Sequence, residues 1–386
     1  MPRKAYDMLE QIKEKMKIGH VRYITTAVAV VALVALILFL KNEADHKTYT
    51  SYTVELQKEK TENASKYEYV NGSILRYSID GASLLRKDLE AAWTVGFSMM
   101  DPRLDLCGTH ILIYDRLGTQ AVILDMKGQV SSFSALGPIL TARISARDTV
   151  AMLVQDGDKV DFVYYSGTGE QIASGESSMS DPGYPLALAV SDDGTDVAIS
   201  YLSAAEGSIS SIVRFYNFGT KGKGQVNNMT GEDAFDGVIA PDIDYLNGNE
   251  CVVFRDNGFT VYKGQDGNAY RSVDFDHEIV SAFHDGSHMG FLFDSEDKNH
   301  RFDMQIYTTS GNLVSSCCVD QTYRRVHVCG DWVIFSSNAE FSLYSMKGYC
   351  KYSGTLQGGG VADVLRIGKE RVFALTDYFM EVLKME

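Results

Sequence analysis

One pattern constrains this chain more than any other: after residue 66 a short apolar run followed by a polar break recurs eight times. The runs are SILRYSID from Ser73, HILIYDR from His110, VAMLVQD from Val150, DVAISYL from Asp196, ECVVFRD from Glu250, HMGFLFD from His288, WVIFSSN from Trp332 and RVFALTD from Arg371. Successive starts lie 37 residues (Ser73 to His110) to 54 residues (Asp196 to Glu250) apart, the period of propellers and other repeat architectures. Behind each comes a second strand-like run, such as QAVILDMKG, VDFVYYSGTG and EFSLYSMKG, and six of these eight close on glycine. In front of most sits a third run, such as PLALAVS, VIAPDIDYL, EIVSAFHD, RRVHVCG or VADVLRI. It is joined to the next through Gly, Asn-Gly or Asp-Gly, as at Gly194 and Gly248, which is hairpin chemistry. Polar fourth runs such as YRSVDFD and GYCKYSGTL complete the unit.

Four antiparallel strands per unit of about forty residues, with no helical periodicity between them, make a propeller blade. A single such sheet cannot bury both of its faces. Eight packed around an axis bury each face against a neighbour and leave only short edges. The expected fold is therefore all-β, an eight-bladed β-propeller over residues 66–386. The last unit ends in YFMEVLKME and has no room for a fourth strand. The stretch from Thr48 to Leu56, β-branched and aromatic, is expected to supply that strand and close the ring. Seven blades is the alternative, if the first unit is incomplete and serves only as the closure. The 34 glycines against 6 prolines, with 22 tyrosines and 18 phenylalanines, suit many tight turns between aromatic strands.

The stretch from Tyr23 to Leu40, YITTAVAVVALVALILFL, carries no charge. At about 1.5 Å per helical residue it can just cross a hydrocarbon core of roughly 30 Å. It reads as one transmembrane helix and an uncleaved signal-anchor, because no small-x-small site follows it. Arg3, Lys4, Lys13, Lys15, Lys17 and Arg22 precede it, which places the N-terminus in the cytoplasm and the propeller outside the cell membrane. Residues 1–22, with Tyr6, Leu9, Ile12 and Met16 at helical spacing, read as a short cytoplasmic tail. Residues 41–65 read as a stalk that includes the closing strand.

The formal net charge is −15, and residues 1–22 contribute +3, leaving −18 for the remainder. That acidity excludes nucleic acid as a partner. Six cysteines, Cys107, Cys251, Cys317, Cys318, Cys329 and Cys350, match no disulfide framework or metal spacing. Adjacent Cys317 and Cys318 on a strand face opposite ways.

The densest histidine group is His277, His284 and His288 in DFDHEIVSAFHDGSH, with Asp274, Asp276 and Asp285 among it. These are weak candidates for a metal site, since His284 and His288 flank a strand turn and are not set on one helix face. Asp192, Asp193 and Asp196 bring calcium to mind, yet no acidic residue stands at the twelfth position, and Asp-Gly there is a hairpin turn. There is no Gly-x-Ser-x-Gly, no phosphate-binding loop and no Cys-His pair at family spacing. No catalytic residue is nominated.

The order of strand, Tyr or Phe, Asp-x-x-Gly turn and strand resembles the quinoprotein-like eight-bladed propellers, which include extracytoplasmic scaffolds of envelope assembly. Quinone-dependent members repeat a tryptophan docking motif in most blades, whereas this chain has only Trp93 and Trp332. No quinone or other cofactor is expected. An N-terminal span followed by ILRYSIDG, AAW, DPRL, ILIYDRLGTQ and GYPLALAVSDDGTDVAISYL is similar to an uncharacterised family of membrane-anchored, propeller-like proteins from anaerobic Gram-positive bacteria. That resemblance covers nearly the whole chain and brings no assigned activity. The function expected is a membrane-anchored binding or scaffold protein that holds an envelope protein or glycan. The alternatives are a sensor with a cytoplasmic partner and an extracytoplasmic hydrolase or lyase.

Overall fold

β-Branched and aromatic residues extend the chain wherever the repeat places an apolar run, and glycine or asparagine turns it back. The computed structural model describes residues 26–37, 39–40, 42–43, 46–60, 65–177, 182–204, 207–248, 250–264, 266–357 and 360–386. Two compact units divide the chain between Thr48 and Tyr49. In the first, residues 26–37, 39–40 and 42–43 are helical. Among the described residues no helix is long and apolar enough to cross a membrane. The expected tail, 1–22, lies outside the described residues, as do residues 23–25 and 38 of the expected span.

The second unit holds eight four-stranded antiparallel sheets. Blade 1 is β2 (Lys66–Val70), β3 (Ser73–Ser78), β4 (Gly81–Leu85) and β5 (Ala91–Gly96). Blade 2 is β6 (Pro102–Cys107), β7 (His110–Asp115), β8 (Gln120–Asp125) and β9 (Gly128–Ser134). Blade 3 is β10 (Ile139–Ile144), β11 (Val150–Asp156), β12 (Lys159–Tyr165) and β13 (Gln171–Ser177). Blade 4 is β14 (Tyr184–Val190), β15 (Asp196–Ser203), β16 (Ser210–Asn217) and β17 (Met229–Asp236). Blade 5 is β18 (Asp242–Leu246), β19 (Glu250–Arg255), β20 (Gly258–Tyr262) and β21 (Arg271–Asp274). Blade 6 is β22 (Ile279–His284), β23 (His288–Asp294), β24 (Phe302–Thr308) and β25 (Leu313–Val319). Blade 7 is β26 (Arg325–Cys329), β27 (Trp332–Ser336), β28 (Glu340–Ser345) and β29 (Cys350–Thr355). Blade 8 is β30 (Val361–Arg366), β31 (Arg371–Thr376), β32 (Phe379–Met385) and, from the far end of the chain, β1 (Tyr52–Glu59).

The first strands of neighbouring blades approach one another around the axis. The core is not one mass but eight separate apolar clusters, each filled from two neighbouring blades, and one of them joins blade 8 to blade 1. Between blades 5 and 6, for instance, Phe259 stacks on Phe291 with ring centres 5.3 Å apart. Fully burying each such side chain favours the packed ring by about 1.5 to 3 kcal/mol. Asn71 and Gly72, the two residues between paired Val70 and Ser73, show how the tightest turns are made, since both have positive φ (42° and 87°), as a two-residue hairpin turn demands.

The ring has eight blades and not seven, because the first unit is a complete sheet and the closure comes from β1. β1 lies outermost on β32, with Tyr52 opposite Met385 and Glu59 opposite Phe379. The strand starts and ends later than the stretch expected to close the ring. Residues 48–50 are not strand, and Tyr49 is instead buried edge-on against Trp332, 6.0 Å between ring centres. At the other end the strand takes in Gln57, Lys58 and Glu59, which an outermost strand tolerates because it pairs on one side only. The Gln57 amide donates to Glu381 at 2.5 Å, and the Thr50 amide donates to the Glu386 carbonyl at 2.7 Å. All six cysteines are free thiols, and on β25 Cys318 is exposed while Cys317 turns toward the core.

A chain beginning at Lys66 loses the burial of Tyr49, Tyr52 and Leu56 and bares the edge of β32. Roughly 5 kcal/mol disappears with those side chains, so its melting temperature should fall by about ten degrees or more relative to a chain beginning at Tyr49. Equal thermal melts for the two would show that β1 does not hold the ring.

Candidate functional site

Charged residues at alternate positions on the first strands are carried to the axis by the same geometry that builds the blades. On one side of the channel meet Asp105 of β6, Arg143 of β10, Asp242 and Asp244 of β18 and His284 of β22. Arg143 Nη1 donates to Asp105 Oδ1 at 3.0 Å and Nε donates to the Leu188 carbonyl at 3.1 Å. Its Nη2 lies 3.7 Å from Asp242. The second Asp105 oxygen accepts the Ile144 amide at 2.7 Å. His284 stands between two carboxylates, with Nε2 3.9 Å from Asp242 and Nδ1 3.8 Å from Asp244, and its ring stacks on Phe254. Across the channel, Asp363 of β30 is buried and accepts from His327 Nε2 at 2.8 Å and Arg325 Nη1 at 2.5 Å, with Glu68 of β2 nearby.

Burial sets the protonation of these groups, and neighbouring charge corrects it. Burial raises Asp105 and Asp244 above the usual carboxylate range, more than Arg143 pulls them down. Burial likewise raises Glu68, against the pull of His327. Burial also works against the charged forms of Asp242 and Asp363, but His284 and Arg143 outweigh it for the first, and His327 and Arg325 for the second, so both are lowered. For His284 burial opposes the imidazolium, and Asp242 and Asp244 override it; for His327, Asp363 does the same, so both histidines are raised. Burial, reinforced by Asp192, pushes the Cys107 thiol up to about 12, which keeps it a protonated donor to Asp192 and no nucleophile.

Three hollows flank this lining. At the end where first strands turn into second strands, one of about 690 Å³ is bounded by Asp105, Cys107, Arg143, Asp192, Asn247 and Asp285. On the same end a second, of about 450 Å³, is bounded by Glu68, Asp285, His327, Cys329 and Arg366. The third is a cleft of about 960 Å³ between blades 5 and 6, with Phe254, Phe275, Ile279, Ala282, Asp242 and His284 among the residues that bound it.

The three histidines singled out from the sequence go to separate places. His277 lies before β22 and is 3.9 Å from Glu296, His284 faces the channel, and His288 opens β23 with Nδ1 2.9 Å from the Ser287 hydroxyl. Among the described residues no three His, Cys, Asp or Glu side chains group to hold a metal ion. Asp193 is engaged by its own turn, accepting from Ser191, from the Thr195 hydroxyl and from the Thr195 amide. Asp196 accepts from Asn217. The channel groups themselves had a signal that residue-type motifs do not carry: charges two apart inside a blade's first strand, as in DIDYL, RLDLC and RRVHV. A strand that is both innermost and charged must put those charges into the channel.

The family described as "Family of unknown function (DUF5711)" matches residues 45–385. The chain belongs to that family. No curated protein matches the sequence. Among solved structures, this DUF5711 propeller is similar to BamB from Moraxella catarrhalis, with 12% identity and a TM-score of 0.53 over 87% of this chain and 100% of that one. It is also similar to Sqt1 from Saccharomyces cerevisiae, with 13% identity and a TM-score of 0.54 over 88% and 100% of the two chains. At such identities the likeness is one of fold.

Protonation should show in stability. His284 and His327, raised above their ordinary 6.5, stabilise fully below that pH and lose the contribution as pH rises through their folded values. Glu68, Asp105 and Asp244, also raised, act in the same direction, because the folded state holds protons that the unfolded chain releases. Asp242 and Asp363, lowered from 3.8, contribute above that value and fade as pH falls below it. Thermal melts at constant ionic strength should therefore peak between about pH 4 and 6.5 and decline toward pH 8, with a shallower decline for His327→Gln. Identical slopes for the two proteins would uncouple the channel from folding.

Proposed function

We propose that this is a membrane-anchored binding or scaffold protein whose propeller lies outside the cell membrane and holds an envelope protein or glycan. The observation that carries the reading is how the channel's charges are used. Arg143 with Asp105, and Arg325 and His327 with Asp363, are engaged with one another inside the ring, while the hollows beside them stay open to solvent. Groups locked together in that way hold a surface in shape, and concave, mixed polar and apolar hollows on a rigid frame suit recognition. The fold likeness alone assigns no partner.

The anchor is part of the proposal. Residues 23–40 carry no charge, six basic residues precede them, and Val28, Val31, Leu33 and Phe39 are each more than half exposed on the described helix. Apolar side chains so bare call for an apolar surrounding. The orientation follows from the basic flank. Within the propeller β1 runs parallel to β31, so it begins at the end where first strands turn into second strands, the end that carries the 690 Å³ and 450 Å³ hollows.

A photo-crosslinking residue in place of Asn247, exposed beside the larger of those hollows, should capture one specific envelope protein or glycan in intact cells, while the same residue at Lys87 on an outer turn captures none. Protease added to intact cells should remove the propeller and spare the tail. A propeller protected from external protease overturns the orientation. Equal, unspecific capture at both positions, together with saturable hydrolysis of a glycan or ester by the purified protein, replaces the binding reading with the enzymatic one.

A further inference from the structure

We infer that the cleft between blades 5 and 6 receives a basic side chain, lysine or arginine, presented by a partner protein. This rests on the binding reading above and names what one of its hollows takes. The wall of the cleft exists because β22 differs from the other first strands. Where its neighbours β18 and β26 carry Asp242, Asp244, Arg325 and His327, β22 carries exposed Val280 and Ala282 before His284, and Ala282 lines the cleft. Small apolar groups there leave room that a long charged side chain would fill. Phe275 and Ile279 complete an apolar lining.

On the cleft stands a carboxylate whose two ion-pair partners keep a distance. Asp242 Oδ1 accepts the Ile243 amide at 2.9 Å. The two cations near it, Arg143 at 3.7 Å and His284 at 3.9 Å, are beyond hydrogen-bond reach. Arg143 is held by Asp105 and the Leu188 carbonyl. Arg255, the other cation on the cleft, donates to Asp274 at 2.8 Å and to two carbonyls, so it does not turn to Asp242. Asp242 therefore keeps 45% of its side chain open, and its Oδ2 has no donor within hydrogen-bond distance among the described residues. It stays ionised, being lowered despite burial. Exposed Asp256 and Glu278 at the rim add negative charge.

An apolar wall leading to an ionised carboxylate selects its occupant. The methylene stem of lysine or arginine lies along Phe275, Ile279 and Ala282 while the cationic head reaches Asp242. A charge-assisted bond forms there, stronger than a neutral one. An uncharged apolar chain of the same length would strip water from Asp242 and return nothing to it, and an anionic one would be repelled.

The test uses the full chain in detergent micelles, titrated with N-acetyl-lysine methylamide, N-acetyl-arginine methylamide and the uncharged isostere N-acetyl-norleucine methylamide. Both basic amides should bind at least about tenfold more tightly than norleucine amide. Asp242→Asn should bring them down to the norleucine level. Ala282→Leu, which fills the cleft from an exposed position and leaves every charge in place, should abolish binding of all three. Thermal melts check that each variant is folded, and if Asp242→Asn is not, Ala282→Leu decides. Equal binding of lysine and norleucine amides, or unchanged binding by Ala282→Leu, overturns the inference. Should that happen while the Asn247 crosslink still captures a partner, only the cleft assignment falls and the binding reading stands; loss of both removes the binding reading as well.

Discussion

Each blade has two apolar faces and can cover neither by itself, and everything else in this structure follows from that. Strand pairing satisfies the backbone within a sheet, but its side chains need a second sheet on either side. An open stack would leave two faces bare, so the stack must return on itself. The cluster joining Tyr67, Ile74 and Leu85 of blade 1 to Phe373, Met380 and Val382 of blade 8 is where it does so. β1 makes that return permanent, because the same sheet then contains residues from both ends of the propeller. Arg371 adds a two-pronged contact to Glu55 at 2.5 and 3.0 Å, but both side chains are well exposed and the pair is worth little beside the burial of Tyr49 and Tyr52.

The same constraint explains the channel. First strands of eight blades converge on the axis, where apolar side chains would face water and charged ones face each other. The chain places opposite charges there at hydrogen-bonding range, Arg143 with Asp105 and Arg325 with Asp363. Such a pair, with its carboxylate largely buried and its cation less so, adds little net stability compared with an apolar replacement, yet losing the cation is costly because the carboxylate stays behind uncompensated. Side chains that cannot be removed singly hold the register of the strands that carry them.

How much of this was legible in the residues can be said element by element. The period of the apolar runs is a direct consequence of blade size, so strand order could be read from it, while eight blades over seven was decided by the complete first sheet. The closing strand could be anticipated because YFMEVLKME leaves one strand missing, but its limits could not, since an outermost strand with one neighbour accepts Gln57, Lys58 and Glu59 as readily as Val or Thr. The site was less visible. His277, His284 and His288 are close in sequence, and a strand and a turn send them apart. Asp105, Arg143, Asp242 and Asp244 are far apart in sequence, and ring closure brings them together. Proximity along the chain is a poor guide where the contacts that matter run between blades.

β14 departs from the charged first-strand pattern altogether, and β22 departs from it at every position but His284. β14, YPLALAV, is buried over most of its length, and Leu188 and Val190 join the cluster between blades 3 and 4. Its missing charge is thus replaced by packing, and the Leu188 carbonyl serves as an acceptor for Arg143. β22 has no such compensation: Val280 and Ala282 remain exposed. One apolar stretch of channel wall left uncovered beside Asp242 is a different kind of exception from a strand that has been absorbed into the core. Uncovered apolar wall and a loosely paired carboxylate occur together at one place. A single amphipathic cation would relieve both at once.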